Sequence, residues 1–449
     1  MSDARPATSE TTTAAVPNTA PQIQRCCETD VLVALPQTPF VLDLLFEAGV
    51  EDLRVDADEG LDLARLSLGD PEAAAEAVTR LAAGAAGPAD QIPGVPGVPG
   101  AFGAPRAGAG APEDVLDALL RGLRAVSAAR YGGWEPRLGK NRLVDRVGGV
   151  NGIVIHGDDL GPATTDGTLA ARAAGGGRGV TVGVIDGPVS EHPWFAGAVQ
   201  FGYADDVSAA MVPPSDPTGA NGANGVPGTS AGHATFVAGL ILQQAPSATV
   251  RARAVLAADG TADVWNVARQ IVALGNSGVD VLNLSFGCFT ADDRAPMALH
   301  QAVSRVDPRV VIVAAAGNYA TDSPLRRRPF WPAALPHVVA VGALSRRNGA
   351  LTRAPFSPAL PWVDVEAVGV DALSTYLEAA RLADGSTADF DGWARWQGTS
   401  FAAAAISGMI ARAIVPGRVD ARAACADLMA VLRTGVEPRG ARLCRPQAV

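Results

Sequence analysis

Four short segments carry residues that can move protons or hold developing charge. Val182-Gly183-Val184-Ile185-Asp186 is an apolar run ending in a carboxylate. Ser230-Ala231-Gly232-His233 sets an imidazole at the head of a run of small residues, Ala234 to Gly239. Val313-Ala314-Ala315-Ala316-Gly317-Asn318 is an apolar run ending in an amide. Gly398-Thr399-Ser400 puts a hydroxyl before Phe401 and four alanines, Ala402 to Ala405. Taken singly, each has an ordinary structural explanation: an Asp or Asn in a turn, a packed His, a Ser capping a helix. Together they match one reaction. A serine hydroxyl is a weak nucleophile until a histidine accepts its proton. The histidine keeps its tautomer when a buried aspartate holds the other ring nitrogen. The oxyanion of acyl transfer needs preorganised donors, which an asparagine amide and a backbone N–H supply.

Such groups work only if strands and helices bring them together. From about residue 175, short apolar runs (180–185, 250–256, 279–284, 310–316, 338–341) alternate with helical stretches (233–244, 263–276, 296–304, 400–414). Unalternating apolar strands between helices predict a parallel sheet covered on both faces. In such a sheet, the carboxyl ends of the strands face the ligand crevice. Asp186 and Asn318 stand at those ends.

The N-terminal third has another grammar. Residues 1–23 read as a disordered tail rich in Thr, Ala and Pro. Residues 24–84 read as strand, helix, two strands about Asp58-Glu59-Gly60, and a helix opened by Pro71, an order resembling a ferredoxin-like module whose last strand is not evident. A Pro/Gly-rich linker covers 85–112. A helix with Leu116, Leu119, Leu120 and Leu123 on one face opens the connecting segment 113–150. Residues 151–449 form the second domain.

The 449 residues, 48% apolar, suffice for about two or three domains. A net charge of −10 and a pI near 5.1 argue against a nucleic-acid partner or an anionic membrane surface. No 18-residue apolar stretch and no signal-like N-terminus are seen, so a cytoplasmic location is expected. Five cysteines, two of them vicinal, make a poor disulfide framework and fit a reducing compartment.

The order Asp, His, Asn, Ser resembles the subtilisin-like serine peptidases, the subtilases, over about residues 176–415. Further motifs carry the resemblance: Asn283-Leu284-Ser285-Phe286-Gly287, Phe330-Trp331-Pro332-Ala333, His337 to Ala343, and Val363 to Val370 followed by Leu373-Ser374-Thr375. Three positions depart from the family pattern: Gly187-Pro188 after Asp186, Ala234 after His233, and Ala404 in place of a proline. The segment Asp186-Gly187-Pro188-Val189 with His192-Pro193 resembles the subtilases that mature cyanobactin-type peptides.

The resemblance implies an α/β fold with a subtilisin-like central parallel sheet and a small N-terminal α+β module of propeptide type. It implies a serine endopeptidase with Asp186, His233 and Ser400 as triad and Asn318 in the oxyanion hole. Ser285, Phe286 and Gly287 would pair with the substrate backbone; Ala314, Ala315, Ala316 and Gly317 would wall the specificity pocket. The expected partner is a peptide or protein substrate, with the N-terminal module inhibiting in cis. Two further readings stand beside this one: a precursor-peptide maturation protease or macrocyclase, and a peptide-binding pseudoprotease. No cofactor is required for the chemistry and no metal ligand is assigned; structural calcium occurs in the family, but the sequence offers no carboxylate cluster for it. Cys288 either borders the pocket or is a plain buried thiol. Trp393 and Trp396 are expected to pack a loop.

Overall fold

The structure, a computed structural model, describes residues 26–85, 114–146, 160–163, 175–203, 226–257, 260–321, 325–382 and 385–444. The expected N-terminal tail and nearly all of the linker lie outside these residues.

The larger part is built on a sheet in the spatial order Ala441–Leu443, Val365–Val368, Val338–Arg347, Val311–Ala315, Val281–Leu284, Thr181–Asp186, Thr249–Ala254, Val199–Tyr203, with Ala350–Arg353 hairpinned onto one strand. All pairings are parallel except those of the terminal strand and the hairpin. Helices His233–Gln244 and Thr399–Ala413 belong to one apolar core, and Val264–Gly275 and Met297–Arg305 to a second. Strands buried on both faces explain the unbroken Val/Ile/Leu/Ala runs. The fold is α/β with a mainly parallel, subtilisin-like sheet flanked by helices.

The small residues of two helices have a geometric purpose. A Cβ on Gly408 would lie 2.7 Å from the Ile241 carbonyl oxygen. Helices His233–Gln244 and Thr399–Ala413 therefore approach backbone to backbone, which a larger side chain would prevent. Ser407 Oγ donates to Asn283 Oδ1 (3.0 Å), and Asn283 Nδ2 donates to Ser285 Oγ (3.0 Å), tying the second helix to a strand end.

The N-terminal elements form a second sheet: Leu53–Asp58, Leu63–Leu68, Cys26–Ala34 and Leu138–Arg146, all antiparallel, with helices Thr38–Glu47, Pro71–Ala85 and Val115–Arg130. Leu138–Arg146 supplies the strand that the sequence pattern does not reveal. Its text, Leu-Gly-Lys-Asn-Arg-Leu-Val-Asp-Arg, is mostly polar and lacks clean alternation. The reason is its two sets of neighbours. Its first half pairs with Cys26–Ala34. Its second half leaves that partner and runs between Thr261–Asp263 and Phe286–Gly287 of the larger part.

Polar residues are buried where the two parts meet. Lys140, 3% exposed, pairs with Asp114 (2.9 Å) and Asp117 (2.7 Å). Asn141, fully buried, donates to Asp30 (2.9 Å) and Asp263 (3.3 Å) and accepts from the Trp265 backbone N–H (3.0 Å). Asn141→Ala strands that N–H and removes one donor each from Asp30 and Asp263, which keep Thr29 and Asn266 as partners. The expected loss is about 1–3 kcal/mol, read as a lowered urea midpoint in a Ser400→Ala background. A change below about 0.5 kcal/mol, the usual size of a neutral surface substitution, would show that the network holds nothing.

Candidate active site

Asp186 closes its strand at the carboxyl edge of the sheet, 1% exposed. One carboxylate oxygen accepts from Gly187 N–H (2.7 Å). His233 opens its helix, 2% exposed. Its Nδ1 lies 2.8 and 3.0 Å from the two oxygens of Asp186. An ionised carboxylate only accepts, so Nδ1 carries the proton and Nε2 is left as the basic nitrogen. Nε2 is buried and has no hydrogen-bond partner among the described residues. An unmet buried acceptor costs about 1–3 kcal/mol.

Ser400, fully buried, stands in the first turn of the neighbouring helix. Its Oγ makes a long hydrogen bond, 3.5 Å, to the Ser285 carbonyl oxygen, and Ser285 Oγ returns one of 3.5 Å to the Ser400 carbonyl. An aromatic wall fixes the imidazole. Its ring lies 5.7 Å from Trp396 and 5.5 Å from Phe401, which are themselves 5.1 Å apart. The sequence reading had Trp396 packing a loop; it packs the imidazole. The available signal was Phe401, adjacent to Ser400.

Asn318, 4% exposed, follows strand Val311–Ala315 and a Gly317 at φ +95°. Its Oδ1 accepts from the Thr399 N–H (3.0 Å) and the Thr399 hydroxyl (2.9 Å). Thr399 Oγ1 in turn accepts from Gly317 N–H (3.1 Å). With the amide oxygen doubly engaged, its orientation is fixed and Nδ2 is the end left to donate. One hydroxyl thus locks the Asn318 turn to the residue before Ser400.

Ser285, Phe286 and Gly287 are buried where the second half of Leu138–Arg146 pairs, Phe286 opposite Arg146 and Gly287 opposite Asp145. Ala314, Ala315, Ala316 and Gly317 lie buried at the end of the neighbouring strand. Beside them Phe289, Tyr319 and Phe330 form an aromatic cluster with centroids 4.9 to 5.6 Å apart, of which the motif reading included Phe330 alone. Cys288 is bridged through its backbone to Trp331 (2.9 and 3.0 Å) and is 7% exposed. Among the described residues no group of three or more His, Cys, Asp or Glu side chains is arranged to hold a metal ion, so no calcium ligands are assigned. No described helix is long and apolar enough to cross a membrane.

The parallel sheet with these groups at its carboxyl edge defines a serine-peptidase class of α/β protein. Residues 177–416 match the subtilase family (peptidase S8), and the chain belongs to that family. It is 32% identical over 244 residues to Subtilisin BL of Lederbergia lenta, covering 52% of this chain and 76% of that protein. It is 29% identical over 304 residues to a thermophilic serine proteinase of Bacillus sp. (strain AK1), covering 68% and 67%. Among solved structures, fervidolysin of Fervidobacterium pennivorans, a keratinolytic enzyme related to subtilisin, superposes with a TM-score of 0.51 at 18% identity. That match covers 86% of this chain and 54% of fervidolysin, and it concerns the fold alone.

Burial pushes the Cys288 thiol up to about 12. The thiolate is the reactive form, so at pH 8 its population is roughly 10³-fold below that of a free cysteine. Iodoacetamide at that pH should leave Cys288 of the folded chain unmodified, as read by peptide mass mapping. Modification at the rate of an unstructured cysteine would contradict the burial.

Proposed function

We propose that the chain is a serine endopeptidase working through Asp186, His233 and Ser400 by way of an acyl-enzyme. The observation that carries the reading is the buried His233–Asp186 pair, whose bare Nε2 neighbours the helix headed by Ser400. Ser400 Oγ attacks the peptide carbonyl carbon and its proton passes to His233 Nε2. Asp186 orients the ring and stabilises the imidazolium. The Asn318 amide and the Ser400 backbone N–H receive the oxyanion. The C–N bond then breaks, and His233 returns the proton to the leaving amine. Water attacks the ester carbonyl, gives a proton to Nε2, and the acid product leaves as that proton returns to Ser400.

The same reading makes the N-terminal part an inhibitor in cis. Residues 143–146 lie as the middle strand between Thr261–Asp263 and Phe286–Gly287. That is the path the family resemblance gives to a substrate backbone. Val144 within it is fully buried in the core of the larger part.

A fluorophosphonate should label the wild-type chain at Ser400 and leave Ser400→Ala unlabelled; an unlabelled wild type under denaturant-free, long incubation points to a binding protein. Asn318→Ala should keep its fold and lose about 10²–10³ in turnover, the figure known for subtilisin's own oxyanion amide. Near wild-type turnover would remove Asn318 from the oxyanion role. Val144→Asp sets a charge in an apolar pocket and should expel the strand, raising the Ser400 labelling rate at least tenfold. An unchanged rate would mean that the strand does not restrict the site.

A further inference from the structure

The strand in the cleft carries one side chain whose surroundings form a site of their own. Arg146 is the last residue paired on Phe286. Its backbone N–H donates to the Gly260 carbonyl at 2.7 Å. Its guanidinium Nη1 donates to the Ser230 carbonyl at 3.1 Å. That carbonyl also accepts the backbone N–H of His233. A carbonyl oxygen has two lone pairs and takes both donors. Gly260 stands at φ +84°, and a Cβ there would lie 3.2 Å from the Arg146 Cβ and 3.5 Å from Nη1. The notch is thus open on that side only because position 260 has no side chain. The Tyr376 hydroxyl donates to the Thr229 carbonyl at 2.6 Å and so braces the turn that presents Ser230.

From this geometry we propose that Gly260 and the Ser230 carbonyl, on the turn that Tyr376 braces, form a subsite for a substrate arginine, at the position just before the residue whose carbonyl is attacked. The proposal rests on the peptidase reading above. The position follows from the register. In an antiparallel partner, the residue after the one facing Phe286 faces Ser285. The Ser285 carbonyl lies 3.5 Å from Ser400 Oγ. A bound peptide with arginine facing Phe286 therefore presents the carbonyl of its next residue to the nucleophile. The guanidinium meets a neutral carbonyl in a part-buried, charge-assisted hydrogen bond. Alanine in its place would leave the notch unfilled and one lone pair of Ser230 bare. A site built to bond a polar group discriminates strongly against analogues that lack it. Because Ser230 O also holds the N–H of His233, filling the notch bears on the turn that positions the imidazole.

The test uses the full chain carrying Arg146→Ala, which vacates the notch, with the wild-type chain in parallel. Two internally quenched peptides share all flanks and differ at one residue: Val-Asp-Arg-Val and Val-Asp-Ala-Val. Rates are read as kcat/KM and cut positions by mass. The expected result is a cut after the second Val, at least tenfold faster for the arginine peptide. The same ratio is expected with wild type, since self-occupancy slows both peptides alike, so a variant that does not fold leaves the comparison intact. Rates within twofold overturn the subsite and leave the peptidase reading standing. Failure to cut either peptide while Ser400 still takes fluorophosphonate also overturns the subsite. Failure of both cutting and labelling in both chains sinks the peptidase reading itself, and the subsite with it.

Discussion

The contact between Asp186 and His233 is made where neither group meets water. An imidazole there has two choices of tautomer, and the carboxylate removes one. Both oxygens lie within 3.0 Å of Nδ1, so the proton stays on that side and Nε2 is basic. Several features of the larger part pack around this pair. The sheet delivers Asp186 to its carboxyl edge. The small residues of helices His233–Gln244 and Thr399–Ala413 let the two backbones close up, as Gly408 against Ile241 illustrates. Trp396 and Phe401 fill the remaining space around the ring. The amide of Asn318 is held by Thr399, one residue before Ser400, so the proposed oxyanion donor and the proposed nucleophile move as one piece.

The second constraint is a strand with two allegiances. Leu138–Arg146 begins as the edge strand of the small sheet and ends between two strands of the peptidase part. Main-chain pairing is indifferent to side chains, so the chain's own segment fits a channel of the kind that extended peptides use. Side chains then add selection. Val144 is swallowed by the core and Arg146 is read by a carbonyl. Around the crossing point, Lys140 and Asn141 satisfy carboxylates from both parts. Buried polar groups of this sort tolerate few alternative arrangements, because any slip leaves one unpaired.

Much was legible beforehand because the peptidase part is locally consistent. The runs at 180–185, 279–284 and 310–316 became strands within a residue or two of their expected limits, and the helices at 233–244 and 400–414 did likewise. Asp186 and His233 stand at element ends as the text suggested, and Asn318 lies in the loop three residues past its strand. The illegible parts share a cause. Strand Leu138–Arg146 carries Lys, Asn, two Arg and an Asp, and its strand state comes from partners more than 100 residues away in the chain. The strand Trp393–Trp396 likewise pairs with a distant partner, Ala372–Thr375.

The sequence by itself determined the reacting groups, their order and the type of sheet that would carry them. Those follow from side-chain chemistry and from a hydrophobic pattern with a period that only one layered arrangement can bury. Only the tertiary structure decided which face of each group is used. It fixed the protonated nitrogen of His233, the donating end of the Asn318 amide, the rings around the imidazole and the segment lying in the cleft. Those are questions of distance between residues far apart in the chain, and distance is set when close packing leaves one way for the elements to meet.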